Sequence, residues 1–315
     1  MTEFKVFAGT ANPHLAAAVA RELRVQLADA TIERFPDGEI SVALGESVRG
    51  REVFIVQPTS PPVSDHLVEL LAFADACRRA AAERITAIVP YFGYSRSDRR
   101  QGRRAPVSAS LVAMLLETVG VARVVTLDAH SAQLEGFFRI PIDNLTAVPV
   151  LCRALTERVP AGAVVVAPDL GAVRLATHYG ERLSLPVAIC HKQRLSGAEV
   201  KVEQVVGDVR DRACVIVDDM ITTGGTVVEC IAALRRAGAR AEFTVAATHG
   251  VLVDGARARL AAAGVRELVT TDTITQYDDG RPPSRVISSA PSLADVVRRL
   301  VTDRSLHELT SLAYA

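Results

Sequence analysis

Short apolar runs rich in β-branched residues recur along the chain, most of them followed by an alanine-rich stretch of helical character. The runs "EVFIVQ", "TAIVPYF", "AVVVAPD", "CVIVDD" and "FTVAATHG" are largely apolar throughout rather than at alternate positions. A strand with one face in water alternates, whereas a strand covered on both faces does not. The pattern therefore asks for mostly parallel sheets flanked by helices, an α/β fold. Further strands are expected at "KVFAG", "TIERF", "EISVAL", "RVVTLDA", "VAIC", "ELVTTDT" and "RVISS". Helices are expected over 12–24, 63–82, 108–119, 171–183, 226–237, 255–263 and 292–303. The series runs twice, before and after about residue 147. Two α/β domains of similar build are expected, 1–147 and 148–303, with 304–315 as a C-terminal tail. In such sheets, ligands bind beyond the carboxyl ends of the strands.

Composition narrows the function classes. Hydrophobic residues make up 49% of the 315 and charged residues 23%, which supports sizeable cores and argues against disorder. Lys plus Arg equals Asp plus Glu, 36 each. Zero net charge argues against general nucleic-acid or membrane-surface binding but leaves room for a local anion site. No apolar run is of membrane length, and no secretion segment is expected. The five cysteines, Cys77, Cys152, Cys190, Cys214 and Cys230, form no C-x-x-C pair. They read as reduced core residues of a cytoplasmic protein.

The sharpest local signal is "ACVIVDDMITTGGTVVECIAALRRAG", residues 213–238. An apolar strand runs into two adjacent aspartates, then a loop of threonines and glycines, then a helix. A phosphate needs backbone N–H donors, hydroxyls and the positive end of a helix. Thr222, Thr223 and Thr226 supply hydroxyls, while Gly224 and Gly225 let the backbone come close. Asp218 and Asp219 cannot bind phosphate directly, but they could hold a sugar's hydroxyls or a magnesium ion. A plain turn with a capped helix explains the glycines and Thr226. It does not explain two like charges at a strand end, which cost stability when unpaired. Walker and dinucleotide-binding motifs are absent.

"VIVDDMITTGGT" resembles the ribose 5-phosphate loop shared by phosphoribosyltransferases and ribose-phosphate diphosphokinases (PRPP synthetases). Four more stretches, in family order, favour the second group. "RFPDGEISV" (34–42) resembles its "RF-x-DGE" hairpin. That implies ATP contacts at Phe35, which can stack on adenine, and at Asp37 or Glu39, which can accept from its amino group. As residues alone, "PDG" is a turn between two strands. "PYFGYSRSDRR" (90–100) is similar to "PY-x-xY-x-RQDR". The likeness implies ATP contacts at Arg96, Asp98 and Arg99, with Ser97 in place of the family glutamine. Three rings among four positions, Tyr91, Phe92 and Tyr94, set this loop apart from an ordinary solvated basic one. "TLDAHSAQLEGFF" (126–138) resembles "DLH-x-x-Q-x-x-GFF", with Ala129 for leucine. It implies that His130 is a magnesium ligand or a partner of one near ATP, although magnesium prefers oxygen. "VAPDLGAVRLA" (166–176) is similar to "SPD-x-GG-x-x-R", with Ala172 for glycine. Asp169 is then expected to bind the ribose hydroxyls or magnesium.

After "VAIC", Lys192 and Arg194 match the family's catalytic Lys and Arg. The resemblance places them on a mobile loop that closes over ATP and neutralises the charge of the transferring group. It implies phosphoribosyltransferase-type domains, Mg²⁺ as cofactor, and ATP and ribose 5-phosphate as substrates. The expected reaction moves the β,γ-diphosphoryl group of ATP to the sugar's C1 hydroxyl, giving PRPP and AMP. No general base stands out. A homo-oligomer, hexamer or tetramer, with an ATP site shared between subunits, is implied too. Two rivals remain: a phosphoribosyltransferase, for which a single domain would be enough, and a non-catalytic regulatory paralogue, in view of Ser97, Ala129 and Ala172.

Overall fold

In chain order the elements are β1 (Phe4–Ala8), α1 (Pro13–Leu23), β2 (Ala30–Arg34), β3 (Ile40–Leu44), β4 (Glu52–Val56), α2 (Val63–Arg79), β5 (Arg84–Ile88), α3 (Ser108–Thr118), β6 (Arg123–Leu127), β7 (Ile142–Leu145), α4 (Val148–Thr156), β8 (Val164–Ala167), α5 (Val173–Leu183), β9 (Val187–Arg194), β10 (Val200–Val206), β11 (Cys214–Ile221), α6 (Gly225–Arg236), β12 (Phe243–Gly250), α7 (Ala256–Ala262), β13 (Val265–Thr271), β14 (Ser284–Ile287), α8 (Ala290–Val301) and α9 (His307–Tyr314). They come from a computed structural model that describes residues 3–100, 102, 104–194, 200–253, 255–276 and 280–314. The chain divides into two units. One comprises 1–146, 273–275 and 288–315, and the other 147–272 and 276–287.

The first unit is built on a parallel sheet in the order β1-β4-β5-β6-β7. All five residues of β4 are buried, the state that its apolar run Val53–Val56 demands. Helix α1 starts cleanly because Asn12 accepts the Leu15 amide at 3.1 Å and Pro13 sits where no N–H is needed. One face of α2 carries Leu70, Phe73, Ala74 and Cys77 into the core, where Phe73 packs on Phe7 with ring centroids 5.4 Å apart. The hairpin β2–β3 forms a separate two-stranded sheet against α2.

The second unit has seven strands in the order β10-β9-β8-β11-β12-β13-β14. All neighbours are parallel except β9 and β10. The expected pair of mostly parallel, helix-flanked sheets is thus observed.

Three features differ from the sequence expectation. Lys192 and Arg194 lie within β9, opposite Val202 and Val200 of β10, and not on a loop. An antiparallel ladder with "VKVEQVV" carries the strand beyond the apolar run that marks its start. Residues 288–303 belong with the first unit rather than the second. Helix α8 buries Leu293, Ala294, Val296 and Val297 and lies beside α1, whose own buried stripe is Leu15, Ala16, Val19 and Ala20. The expected tail also holds α9, beside β7 in the first unit.

Phe73→Ala removes a fully buried ring and leaves a cavity. Its expected cost is about 3–5 kcal/mol of stability, read from the urea midpoint at unchanged slope. A shift equivalent to less than about 1 kcal/mol would show that this contact does not hold the first core.

Candidate active site

In the second unit the chemistry gathers beyond the carboxyl ends of β8 and β11. These adjacent strands pair in register from Val164–Cys214 to Val166–Ile216. Beyond β8, the Asp169 carboxylate accepts the amides of Gly171 and Ala172 at 3.0 and 3.3 Å. That bonding caps a short 3₁₀ turn (Leu170–Ala172). In β11, residues 214–217 are buried, and the pattern breaks at Asp218 and Asp219, both half-buried. The Asp218 carboxylate accepts the Asp219 amide at 3.0 Å, and the Asp219 carboxylate accepts the Met220 amide at 2.9 Å.

The loop after β11 is fixed from the side away from its amides. The Ile221 and Thr222 carbonyls accept the Leu252 and Val253 amides at 2.9 and 3.0 Å. The Thr223 carbonyl accepts Arg259 Nε at 2.9 Å. Gly224 has φ +77°, and a Cβ there would sit 3.3 Å from Leu260. The backbone conformation favours glycine, and a side chain would also press Leu260 aside by a few tenths of an ångström. With the carbonyls engaged, the amides of Thr223, Gly224, Gly225 and Thr226 donate no hydrogen bond among the described residues. They crown the first turn of α6, where the helix dipole adds positive potential. Arg259 is a contributor that sequence reasoning missed. It lies 36 residues from Thr223 in what reads as an ordinary surface helix, and nothing local marks it.

Burial, then the charge of Asp219, then that of Asp169 push the Asp218 carboxyl well above the usual carboxylate range. Its ionised form therefore lacks compensation and would gain from a nearby cation or from hydroxyl donors. Among the described residues, no three His, Cys, Asp or Glu side chains form a closed metal-binding group. Asp169, Asp218 and Asp219 still offer hard oxygen donors of the sort a magnesium ion takes while keeping water and phosphate oxygens.

Lys192 and Arg194 are placed by backbone only, near the end of β9. Their side chains lie outside the described part of the structure.

In the first unit, two of the expected segments follow neighbouring strands. Residues 90–100 come after β5, and His130 comes three residues after β6. Arg96 and Arg99 are exposed and Asp98 is half-buried. Of the three rings that single out this loop, Tyr91 and Phe92 belong to the core, with Phe92 edge-on to Phe138 at 6.0 Å. Tyr94 alone is exposed, with its hydroxyl 2.8 Å from that of Ser64. Ser97 turns back on the protein. Its hydroxyl accepts the Ser108 amide at 3.2 Å and its carbonyl the Ala109 amide at 3.2 Å, so it caps α3. His130 is exposed and follows Asp128, whose φ of +35° is unusual for a non-glycine residue. Asn144 steadies the turn by accepting the Ala129 amide at 3.0 Å.

The tip of the β2–β3 hairpin carries Phe35, Asp37 and Glu39, all exposed. Phe35 and Glu39 close the turn by a 2.8 Å backbone bond, and the Asp37 carboxylate accepts the Glu39 amide at 3.1 Å. Arg34 ties the hairpin to α2 by a 2.8 Å bond to Asp65. The turn that the bare residues suggest and an outward-facing ring are therefore both present.

The Asp218 shift gives a prediction with a definite sign. A carboxyl whose folded pKa is raised costs stability once the pH exceeds its unfolded value. Asp218→Asn is expected to raise Tm at pH 7 and to leave it unchanged below about pH 4, where the unfolded carboxyl is protonated too. A lower Tm at pH 7 would mean that the aspartate is compensated within the folded chain.

Residues 4–120 match the family described as the N-terminal domain of ribose phosphate pyrophosphokinase, and residues 195–310 match the phosphoribosyl synthetase-associated domain. The ribose-phosphate pyrophosphokinase of Agrobacterium fabrum is 46% identical over 308 residues, spanning 97% of this chain and 99% of that relative. That of Rhodopirellula baltica is 44% identical over 313 residues, spanning 98% and 99%. The crystal structure of phosphoribosylpyrophosphate synthetase from Mycobacterium smegmatis superposes with a TM-score of 0.89 at 42% identity, covering 96% of this chain and 99% of that one. On sequence and fold together, the chain belongs to the ribose-phosphate pyrophosphokinase family.

Proposed function

We propose that the protein is a ribose-phosphate diphosphokinase: it transfers the β,γ-diphosphoryl group of ATP to the C1 hydroxyl of ribose 5-phosphate and releases PRPP and AMP. The observation that carries this reading is the loop after β11. Four amides that donate to no acceptor among the described residues crown a helix a few residues after two half-buried carboxylates. Such a loop takes a phosphate and a polyhydroxyl group side by side, the two ends of a phosphorylated sugar.

In this reading Thr222, Thr223, Gly224, Gly225 and Thr226 grip the 5-phosphate. Asp169, Asp218 and Asp219 accept hydrogen bonds from the ribose hydroxyls and orient C1. Fixing the sugar at both ends converts an encounter into a positioned attack on the β-phosphorus of ATP. Phe35 stacks on adenine, with Asp37 or Glu39 accepting from its amino group. Arg96 and Arg99, with Asp98 between them, hold the triphosphate. Lys192 and Arg194 stabilise charge as the diphosphoryl group moves. For Mg²⁺ the assigned residues are Asp169 and, near ATP, His130; when bound, the ion would neutralise phosphate charge. No general base is assigned.

The hairpin tip points outward with an exposed ring, which suits an ATP site completed by a second subunit. Val68 of α2 and Leu111 and Met114 of α3 are each about half exposed in the single chain. These apolar side chains support a homo-oligomer, hexamer or tetramer. No helix among the described residues is long and apolar enough to cross a membrane, and none of the five buried cysteines forms a disulfide. Both facts accord with a cytoplasmic enzyme.

The test is to mix purified protein with ATP, Mg²⁺ and ribose 5-phosphate and identify the adenine nucleotide produced. AMP that forms only with the sugar is expected. ADP, or no turnover with the sugar phosphate still bound, overturns the assignment. Lys192→Ala is expected to lower kcat by about 10²-fold or more while ATP affinity changes little, since its contact belongs to the transition state. Equal losses in both would remove Lys192 from that role.

A further inference from the structure

Two cysteines not used by the proposed chemistry meet inside the second unit. Cys190 Sγ in β9 lies 3.0 Å from Cys230 Sγ in α6, and both residues are fully buried in the same apolar cluster. A disulfide requires about 2.05 Å between the sulfurs, so closure asks for about 1 Å of movement.

The positions of the two residues matter. Cys230 is four residues beyond Thr226, hence one turn below it on the same face of α6. Cys190 is two residues before Lys192 on β9. The pairing of β9 with β8 runs from Val187 to Ile189, the ladder to β10 begins at Ile189, and from Cys190 onward only the β10 ladder continues. That ladder is interrupted by a register shift between Val202 and Gln204. The strand segment carrying Cys190 is thus held on one side by an irregular ladder, so it opens more readily than the sheet's interior.

We propose that Cys190 and Cys230 are a redox-modification site, a thiol pair that a hydroperoxide converts to a disulfide tying β9 to α6. When the segment opens, one thiolate attacks the hydroperoxide. The O–O bond breaks, an alcohol or water leaves, and a sulfenic acid remains on that sulfur. The second sulfur then displaces the sulfenic oxygen as water and forms the S–S bond. In total the two thiols lose two electrons and two protons, and the hydroperoxide takes up both. The product fixes the strand bearing Lys192 against the helix that crowns the phosphate loop. Resting on the diphosphokinase reading for its functional consequence, the bond slows turnover by restraining the strand that carries Lys192.

The experiment treats the full-length reduced protein with hydrogen peroxide, blocks remaining thiols, and maps peptides by mass spectrometry. A peptide pair joined through Cys190 and Cys230 is expected, whereas Cys77 and Cys152, buried without such a neighbour, remain alkylatable after unfolding. Turnover is expected to fall by about tenfold, as for a restrained conformational step, and to return with dithiothreitol. Cys230→Ser is expected to keep the reduced enzyme's activity and to resist peroxide. Cys230→Ala serves the same purpose if a buried hydroxyl is not tolerated. Absence of the linked peptide pair, or its presence with unchanged turnover, overturns the proposal. Because the linkage is read without any activity, a reduced enzyme that makes no AMP would count against the diphosphokinase reading alone.

Discussion

Much of the second unit depends on how β11 ends. Four consecutive residues of this strand are buried between β8 and β12, and the next two are aspartates. The pairing with β8 stops at Ile216 while β12 stays paired as far as Ile221, so the aspartates sit where one of the two neighbours has ended. Even there, burial and like charge hold Asp218 toward its protonated form. The residues that follow are arranged around this unfavourable spot. Backbone partners and Arg259 take the loop's carbonyls, while its amides donate no hydrogen bond among the described residues. Folding energy from the surrounding core thus holds a constellation that the chain does not satisfy by itself, the expected signature of a ligand site.

What was legible in the sequence follows from how local each signal is. The strands of both sheets could be read because double-sided burial leaves apolar runs, and the loop between β11 and α6 because its threonines and glycines lie within five consecutive residues. β7 was missed because "IDNL" carries two polar residues, and β10 because its lysine and glutamate interrupt the apolar run. Helix α4, "VPVLCRALT", sits at the expected domain junction, where a linker reading competes with a helix that opens on proline.

Longer-range relations were not legible. Arg259 supports the loop from another helix, and Ser97 serves α3 from 11 residues away. Ser97 shows how a departure from a family pattern can be read too narrowly. It stands where the family has glutamine, and its hydroxyl serves the fold by accepting the Ser108 amide. Tyr91 and Phe92 give the converse lesson. Aromatic residues beside arginines suggest a base-binding loop, but the first two rings continue the core beyond β5, and only Tyr94 reaches the surface.

The return of the chain to the first unit affects how the protein is made. Strands β8 to β14 form one nearly continuous stretch, whereas the first unit needs α8 from the far end of the polypeptide to cover α1. On a ribosome, the earlier-synthesised unit must wait with one apolar helix face unshielded until α8, which follows β14, has emerged. The later-synthesised unit has almost all of its parts once β14 appears. The birth order of the sequence and the completion order of its cores are therefore reversed, and the interval between them is when a chaperone or a premature partner would meet the exposed face of α1.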